Sequence, residues 1–211
     1  MKKILVIWAN SKLAKRFIDK YEDKFDLIRF SRKDLDLSDK DLENNLLKKL
    51  GFIKLDWIVF FSSIYEEGND YKIVKECLKI NVLSLYKISK TIIEQKLINT
   101  NWKFIFLTDG WTNNPKKSYL WYSVSKDLLK SFIKNLAVNY TNYIFLWLDL
   151  WPVETNKTWE ERENFFSRSL VNIKDPWLGL INFISFLLQE DNFFSTGTII
   201  DFTWWTYLKR C

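Results

Sequence analysis

Lys3-Ile4-Leu5-Val6-Ile7-Trp8-Ala9-Asn10-Ser11-Lys12-Leu13-Ala14 begins with a run of apolar residues, passes through a short turn, and enters helical spacing that continues to Tyr21. A short apolar run suits a strand covered on both faces, and the switch to a 3.6-residue period marks the start of a helix. The alternation recurs along the chain. Apolar runs at Ile4–Ile7, Leu27–Phe30, Trp57–Phe61, Phe104–Leu107, Tyr143–Leu150 and Thr198–Phe202 predict six strands. Helical spacing over Lys12–Tyr21, Asp39–Leu50, Tyr71–Gln95, Ser123–Val138 and Leu178–Gln189 predicts the helices between them. Alternating strands and helices predict an α/β, doubly wound parallel sheet, because right-handed crossovers lay helices on both faces. No linker rich in Pro, Gly or Ser interrupts the 211 residues and no repeat is visible, so 1–211 reads as a single domain.

Composition narrows the chemistry. The net charge of +6 is spread without a dense basic block, which argues for a solvated surface and against nucleic acid as a partner. The longest apolar stretch, Ile181–Leu188, contains Asn182 and Ser185 and falls far short of the ~20 residues that span a bilayer, so no membrane partner is expected. Met1-Lys2-Lys3 precedes too few apolar residues for a signal peptide. With only Cys77 and Cys211, a disulfide framework is not expected, and a reducing cytoplasm is the expected location. The chain has no His, which excludes an imidazole base and any His-containing zinc site; no metal is expected.

In doubly wound sheets, ligands bind beyond the carboxyl ends of the strands. Trp8–Ala14, Ser31–Asp36, Phe61–Ser63, Thr108–Gly110 and Trp151–Thr155 should therefore converge on one cleft. Tyr122-Ser123-Val124-Ser125-Lys126 opens the helix after the fourth strand, and its four-residue spacing sets Tyr122 and Lys126 on one helix face. A cation beside a phenol favours the phenolate, which suits the pair to general acid chemistry near neutral pH.

With this pair in that context, the sequence resembles the short-chain dehydrogenase/reductase family over essentially the whole chain. Leu55-Asp56-Trp57-Ile58-Val59, Asn81-Val82 and Thr196-Gly197-Thr198-Ile199-Ile200-Asp201-Phe202 also carry the resemblance. It implies a Rossmann-like domain and hydride transfer between a nicotinamide cofactor and a small carbonyl or alcohol. Tyr122 would then protonate the substrate oxygen, Lys126 would hold the ribose, and Asn81 would relay protons through a water. Where the family has a serine facing the substrate this chain has Asp109, with Thr108 beside it as the available hydroxyl. The resemblance also assigns cofactor contacts to Trp8, Asn10, Ser11, Lys12 and Leu13 in the first turn, and to Phe61, Ser62 and Ser63 after the third strand. It further assigns them to Asp36 and Leu37 at the adenine, and to Trp151, Pro152, Val153 and Thr155 beside the nicotinamide. Ser31-Arg32 stands after the second strand, where an acidic residue would favour NAD; a basic one suits a 2′-phosphate, so NADP(H) is expected over NAD(H). A homodimer or homotetramer is implied through helices Asn81–Gln95 and Ser123–Val138. The other reading is a non-catalytic binding or regulatory protein with a blocked cofactor loop.

That alternative arises from Trp8. A phosphate-binding first turn needs glycine so that backbone amides can approach the anion. Here Trp8 and Lys12 take the first two glycine positions and Ala14 the third, while Trp151 and Trp204-Trp205 stand at other glycine positions of the family. The chain has 11 Trp and 5 Gly, and 11 and 5 together make 16, close to the ~7% that glycine alone usually supplies. A UGA codon that means glycine, translated as tryptophan, accounts for both the positions and the counts.

Overall fold

The structure, a computed structural model, describes residues 1–68, 70–109, 117–150, 176–189 and 196–202. Six parallel strands form one sheet in the order β2-β1-β3-β4-β5-β6: β1 Lys3–Ile7, β2 Asp26–Phe30, β3 Leu55–Phe60, β4 Ile98–Asp109, β5 Ile144–Leu150 and β6 Thr198–Phe202. The chain runs outward from β1 to β2 and then returns to place β3 on the other flank of β1. The strand order reverses there, opening a crevice at the carboxyl ends of β1 and β3.

Helices cover both faces. α1 (Lys12–Tyr21) and α6 (Pro176–Gln189) pack on one side, where Phe17, Ile18, Leu180, Ile184 and Leu187 meet Ile4, Val6 and Val59. α2 (Leu42–Leu50), α4 (Ser84–Glu94) and α5 (Leu120–Asn139) cover the other, with Leu46, Ile88, Leu129 and Ile133 against Leu5, Ile58 and Phe104. The central strands are mostly apolar because both of their faces are buried, as parallel sheets require, with Lys103, Thr108 and Asp149 as buried polar exceptions. Ile4, Leu5, Val6 and Ile7 are all fully enclosed.

Most element ends lie within three residues of those the spacing predicts, and three differences have a structural cause. The segment expected as one helix, Tyr71–Gln95, is α3 (Tyr71–Leu78), a π turn (Lys79–Leu83) and then α4. The backbone amide of Ser84 donates to the Lys79 carbonyl, five residues back, and the Ser84 hydroxyl bonds the same carbonyl at 2.7 Å and that of Leu37 at 2.5 Å. Such a bulge changes the direction in which a residue faces without ending the helix, and here Asn81 becomes fully buried. The helix expected from Asp39 begins at Leu42, because Asp36 accepts from the Ser38 amide (2.8 Å) and Asp39 from the Asp41 amide (3.0 Å). Short acidic side chains that bond the backbone two residues on favour turns over helix. β4 extends well beyond Phe104–Leu107, since Ile98 pairs with Leu55 before an irregularity and Asp109 pairs with Leu150 at the far end.

Candidate active site

α5 positions the Tyr122–Lys126 pair. Its 20 residues begin at Leu120, so Tyr122 lies in the first turn and Lys126 one turn later. Both side chains are enclosed, Tyr122 at 6% and Lys126 at 1% exposure, and the Lys126 ammonium lies 5.9 Å from the Tyr122 ring centroid. Lys126 Nζ donates to the Leu107 carbonyl on β4 at 3.2 Å, which anchors the cation at the carboxyl end of the sheet. A buried lysine held this way has little conformational freedom.

Asn81 ties this helix to the loop after β3. Its Oδ1 accepts from the Ile64 amide at 2.8 Å; its Nδ2 donates to the Ile64 carbonyl at 3.1 Å and to Ser125 Oγ at 3.0 Å. Ser125 Oγ in turn donates to the Tyr122 carbonyl at 2.7 Å. Both amide protons of Asn81 are therefore spent on the loop and on α5, and the carboxamide acts as a clamp between them. The same loop brings Tyr65 edge-on to Tyr122, with ring centroids 4.7 Å apart, while Tyr65 stacks on Tyr119 at 4.2 Å. The Gly68 amide donates to the Ser118 carbonyl at 3.0 Å and closes the arrangement. Tyr65, Tyr119 and Ser125 went unrecognised in the sequence, because the contacts that tie them to the loop and to Asn81 join segments more than forty residues apart and leave no local pattern.

At the loop's start, the hydroxyls of Ser62 and Ser63 are buried and have no hydrogen-bond partner among the described residues. Buried polar atoms are rarely left unsatisfied in a native protein, so two such hydroxyls at the switch in strand order suit a ligand there. Phe61 is buried beside them against α1, with its ring 5.7 Å from that of Phe17.

The first turn is well formed except for one residue. Ser11 caps α1, accepting from the Ala14 amide at 3.2 Å, and its own amide closes the turn on the Trp8 carbonyl at 2.9 Å. Asn10 and Lys12 are exposed around this helix start, where an anion is favoured by the helix dipole. Leu13 packs toward the α1/α6 core. Trp8 has φ +62°, a left-handed conformation that costs a side-chain-bearing residue roughly 1–2 kcal/mol. Its indole packs against the core, and its buried Nε1 has no partner.

After β2, Arg32 and Lys33 are exposed, and Ser31 donates its amide (2.9 Å) and hydroxyl (2.5 Å) to Asp34. Those bonds hold the Asp34 carboxyl below its ordinary value. For Asp36, burial pushes the carboxyl up, but bonds from the Ser38 amide and hydroxyl outweigh it, aided by Arg32 and Lys79, and the net shift is downward. Leu37, expected at an adenine ring, is 1% exposed and belongs to the core, so of the pair only Asp36 faces outward.

Thr108 is placed differently from its expected role. Its hydroxyl donates to the Asp149 carboxylate, and Lys130 Nζ binds the other oxygen of that carboxylate at 2.7 Å. A hydroxyl has one proton, and in Thr108 it is committed across the β4–β5 seam rather than toward a substrate. The buried Thr108–Asp149–Lys130 network links α5 to the sheet one turn beyond Lys126. Asp109 ends β4, and its side chain, with Gly110, Trp151, Pro152, Val153, Thr155, Trp204, Trp205 and Cys211, lies outside the described residues. Among the described residues, no group of three or more His, Cys, Asp or Glu could hold a metal ion, and no helix is long and apolar enough to cross a membrane.

No protein-family model and no curated protein sequence matches the chain. Solved structures do match it. A short chain dehydrogenase family protein from Francisella tularensis is 16% identical, covers 95% of this chain and 96% of its own, and superposes with a TM-score of 0.81. BdcA in complex with NADPH is 15% identical over 95% of this chain and 92% of its own, with a TM-score of 0.80. The angucycline C-6 ketoreductase LanV with bound NADP is 15% identical over 95% and 93%, with a TM-score of 0.77. The chain has the fold of the short-chain dehydrogenases.

Proposed function

We propose that this chain, with the short-chain dehydrogenase fold, is an NADP(H)-dependent oxidoreductase that reduces a small carbonyl compound or oxidises the corresponding alcohol. The observation that carries the reading is the enclosed Tyr122–Lys126 pair on one turn of α5 at the carboxyl end of the sheet. The NADPH and NADP found in structural neighbours support the cofactor class, and the exposed Arg32 after β2 supports the phosphorylated form.

When bound, the cofactor would supply the hydride. The α1 amino end with Ser11 and Lys12 would face its phosphates, Ser62 and Ser63 its middle, and Arg32 the 2′-phosphate. Trp8 does not fit this arrangement, because its side chain occupies a turn that phosphates approach only over a backbone without Cβ. Tyr122 holds the proton given to the substrate oxygen. Lys126, fixed by the Leu107 carbonyl, stabilises the phenolate left behind. Asn81 and Ser125 keep the first turn of α5 in register with the loop bearing Tyr65.

Leu120, Val124 and Leu128 form an exposed apolar stripe on α5, which supports a homodimer or homotetramer through that helix. A cytoplasmic setting remains the expectation from cysteine usage. The test is NADPH consumption by the Trp8→Gly protein against a panel of small ketones and aldehydes, with Tyr122→Phe in the same background as control. Turnover that survives the substitution unchanged would overturn the proposed chemistry.

A further inference from the structure

We infer that residue 8 is glycine in the protein as its own cell makes it, encoded by a UGA codon that the cell reads as glycine and that the sequence renders as tryptophan. The backbone at residue 8 is the first ground. Among the described residues only Trp8 and Lys96 combine a side chain with positive φ. Lys96 stands exposed just past the end of α4, a position where helices commonly turn left-handed. Trp8 is half-buried inside a tight turn, with one of the bulkiest side chains at a φ that suits glycine. The glycines Gly51, Gly68 and Gly197 do take positive φ.

The second ground is independent of backbone shape. Buried tryptophan N–H groups usually find an acceptor. Among the described residues, five buried side-chain polar atoms lack a partner, and three are the indole nitrogens of Trp8, Trp57 and Trp147. Trp57 and Trp147 are fully enclosed in the central strands. The orphaned serine hydroxyls after β3 and the turn that the Trp8 indole fills after β1 follow neighbouring strands at the switch in strand order. Glycine at residue 8 removes the strained side chain and the orphaned donor together, and opens the turn to an anion. The inference rests on the proposed cofactor site only for its consequence; its evidence is φ, burial and the 11 Trp against 5 Gly.

The experiment reads the codons for residues 8, 57 and 147, and weighs the tryptic peptide Ile4–Lys12 from protein isolated from the source cells. UGA at codon 8 with a glycine mass is the expected result. UGG at codon 8, or UGA with a tryptophan mass, overturns the inference. A separate arm titrates NADPH into recombinant protein, with tryptophan at residue 8 and as Trp8→Gly, with binding expected to tighten by about tenfold or more. If the native peptide carries glycine and Trp8→Gly still fails to bind NADPH, the cofactor assignment is wrong and the codon inference stands.

Discussion

The two ends of the crevice are built to different standards. At the α5 end, each polar group of Asn81 and Ser125 has its counterpart: Asn81 meets Ile64 and Ser125, and Ser125 meets Tyr122, while Lys126 meets Leu107. At the α1 end, a correct helix cap and a closed turn surround a strained tryptophan whose indole N–H bonds nothing. Natural sequences are locally consistent where a structure is selected, so a lone conflict within an otherwise well-formed turn points to the residue rather than to the fold. On the proposed reading, the α5 end is a complete catalytic end, and the α1 end is a cofactor end with one residue out of place.

The largest expected effect sharpens the first half of that contrast. Tyr122→Phe should lower turnover by about 10²- to 10⁴-fold, as loss of a general acid does, with the melting temperature little changed. Steady-state kinetics and a thermal melt read the two together, and a parallel loss of folding would reduce the tyrosine to a structural residue. Next comes the network behind it. Lys130→Met leaves Asp149 buried opposite Thr108 without its cation and should cost about 3–5 kcal/mol in denaturant unfolding. A cost near zero would mean that the network is not a buried ion pair in solution. Asn81→Ala strips three bonds from loop and helix and should cost about 2–4 kcal/mol, with KM raised more than the melting point alone explains.

At the other end of the crevice the effects are smaller. Arg32→Glu should shift preference from NADPH toward NADH by about tenfold or more, read as the ratio of kcat/KM values. An unchanged ratio would remove Arg32 from the cofactor site. Asp36→Asn should change stability by less than about 1 kcal/mol, with the full effect above the ordinary aspartate value of 3.8. The folded carboxyl lies lower than the unfolded one, so its contribution is present above that pH and fades as pH falls through the folded value. Unfolding curves for the two proteins should therefore converge in acid.

The fold was legible because it is written in periodicity. Six apolar runs and the helices between them survive in the structure with shifts of a few residues at most ends, and the Tyr122–Lys126 spacing needed only one helix to become a pair. What stayed hidden depends on contacts between distant segments. The π turn at Lys79–Leu83 has no signature in spacing, because Ser84 and Asn81 are ordinary helix residues until Leu37 and Ile64 are placed beside them. Leu37, read as an adenine contact, packs in the core, and the Thr108 hydroxyl, read as a substrate donor, donates to Asp149. Trp8 was conspicuous in the sequence, and the backbone supplied its physical meaning.

The most direct test of the cofactor site is a fluorescence titration of the Trp8→Gly protein with NADPH and, in parallel, with NADH. Saturable NADPH binding, about tenfold or more tighter than NADH, is the expected result. Absence of saturable binding by either nucleotide would contradict the proposed site.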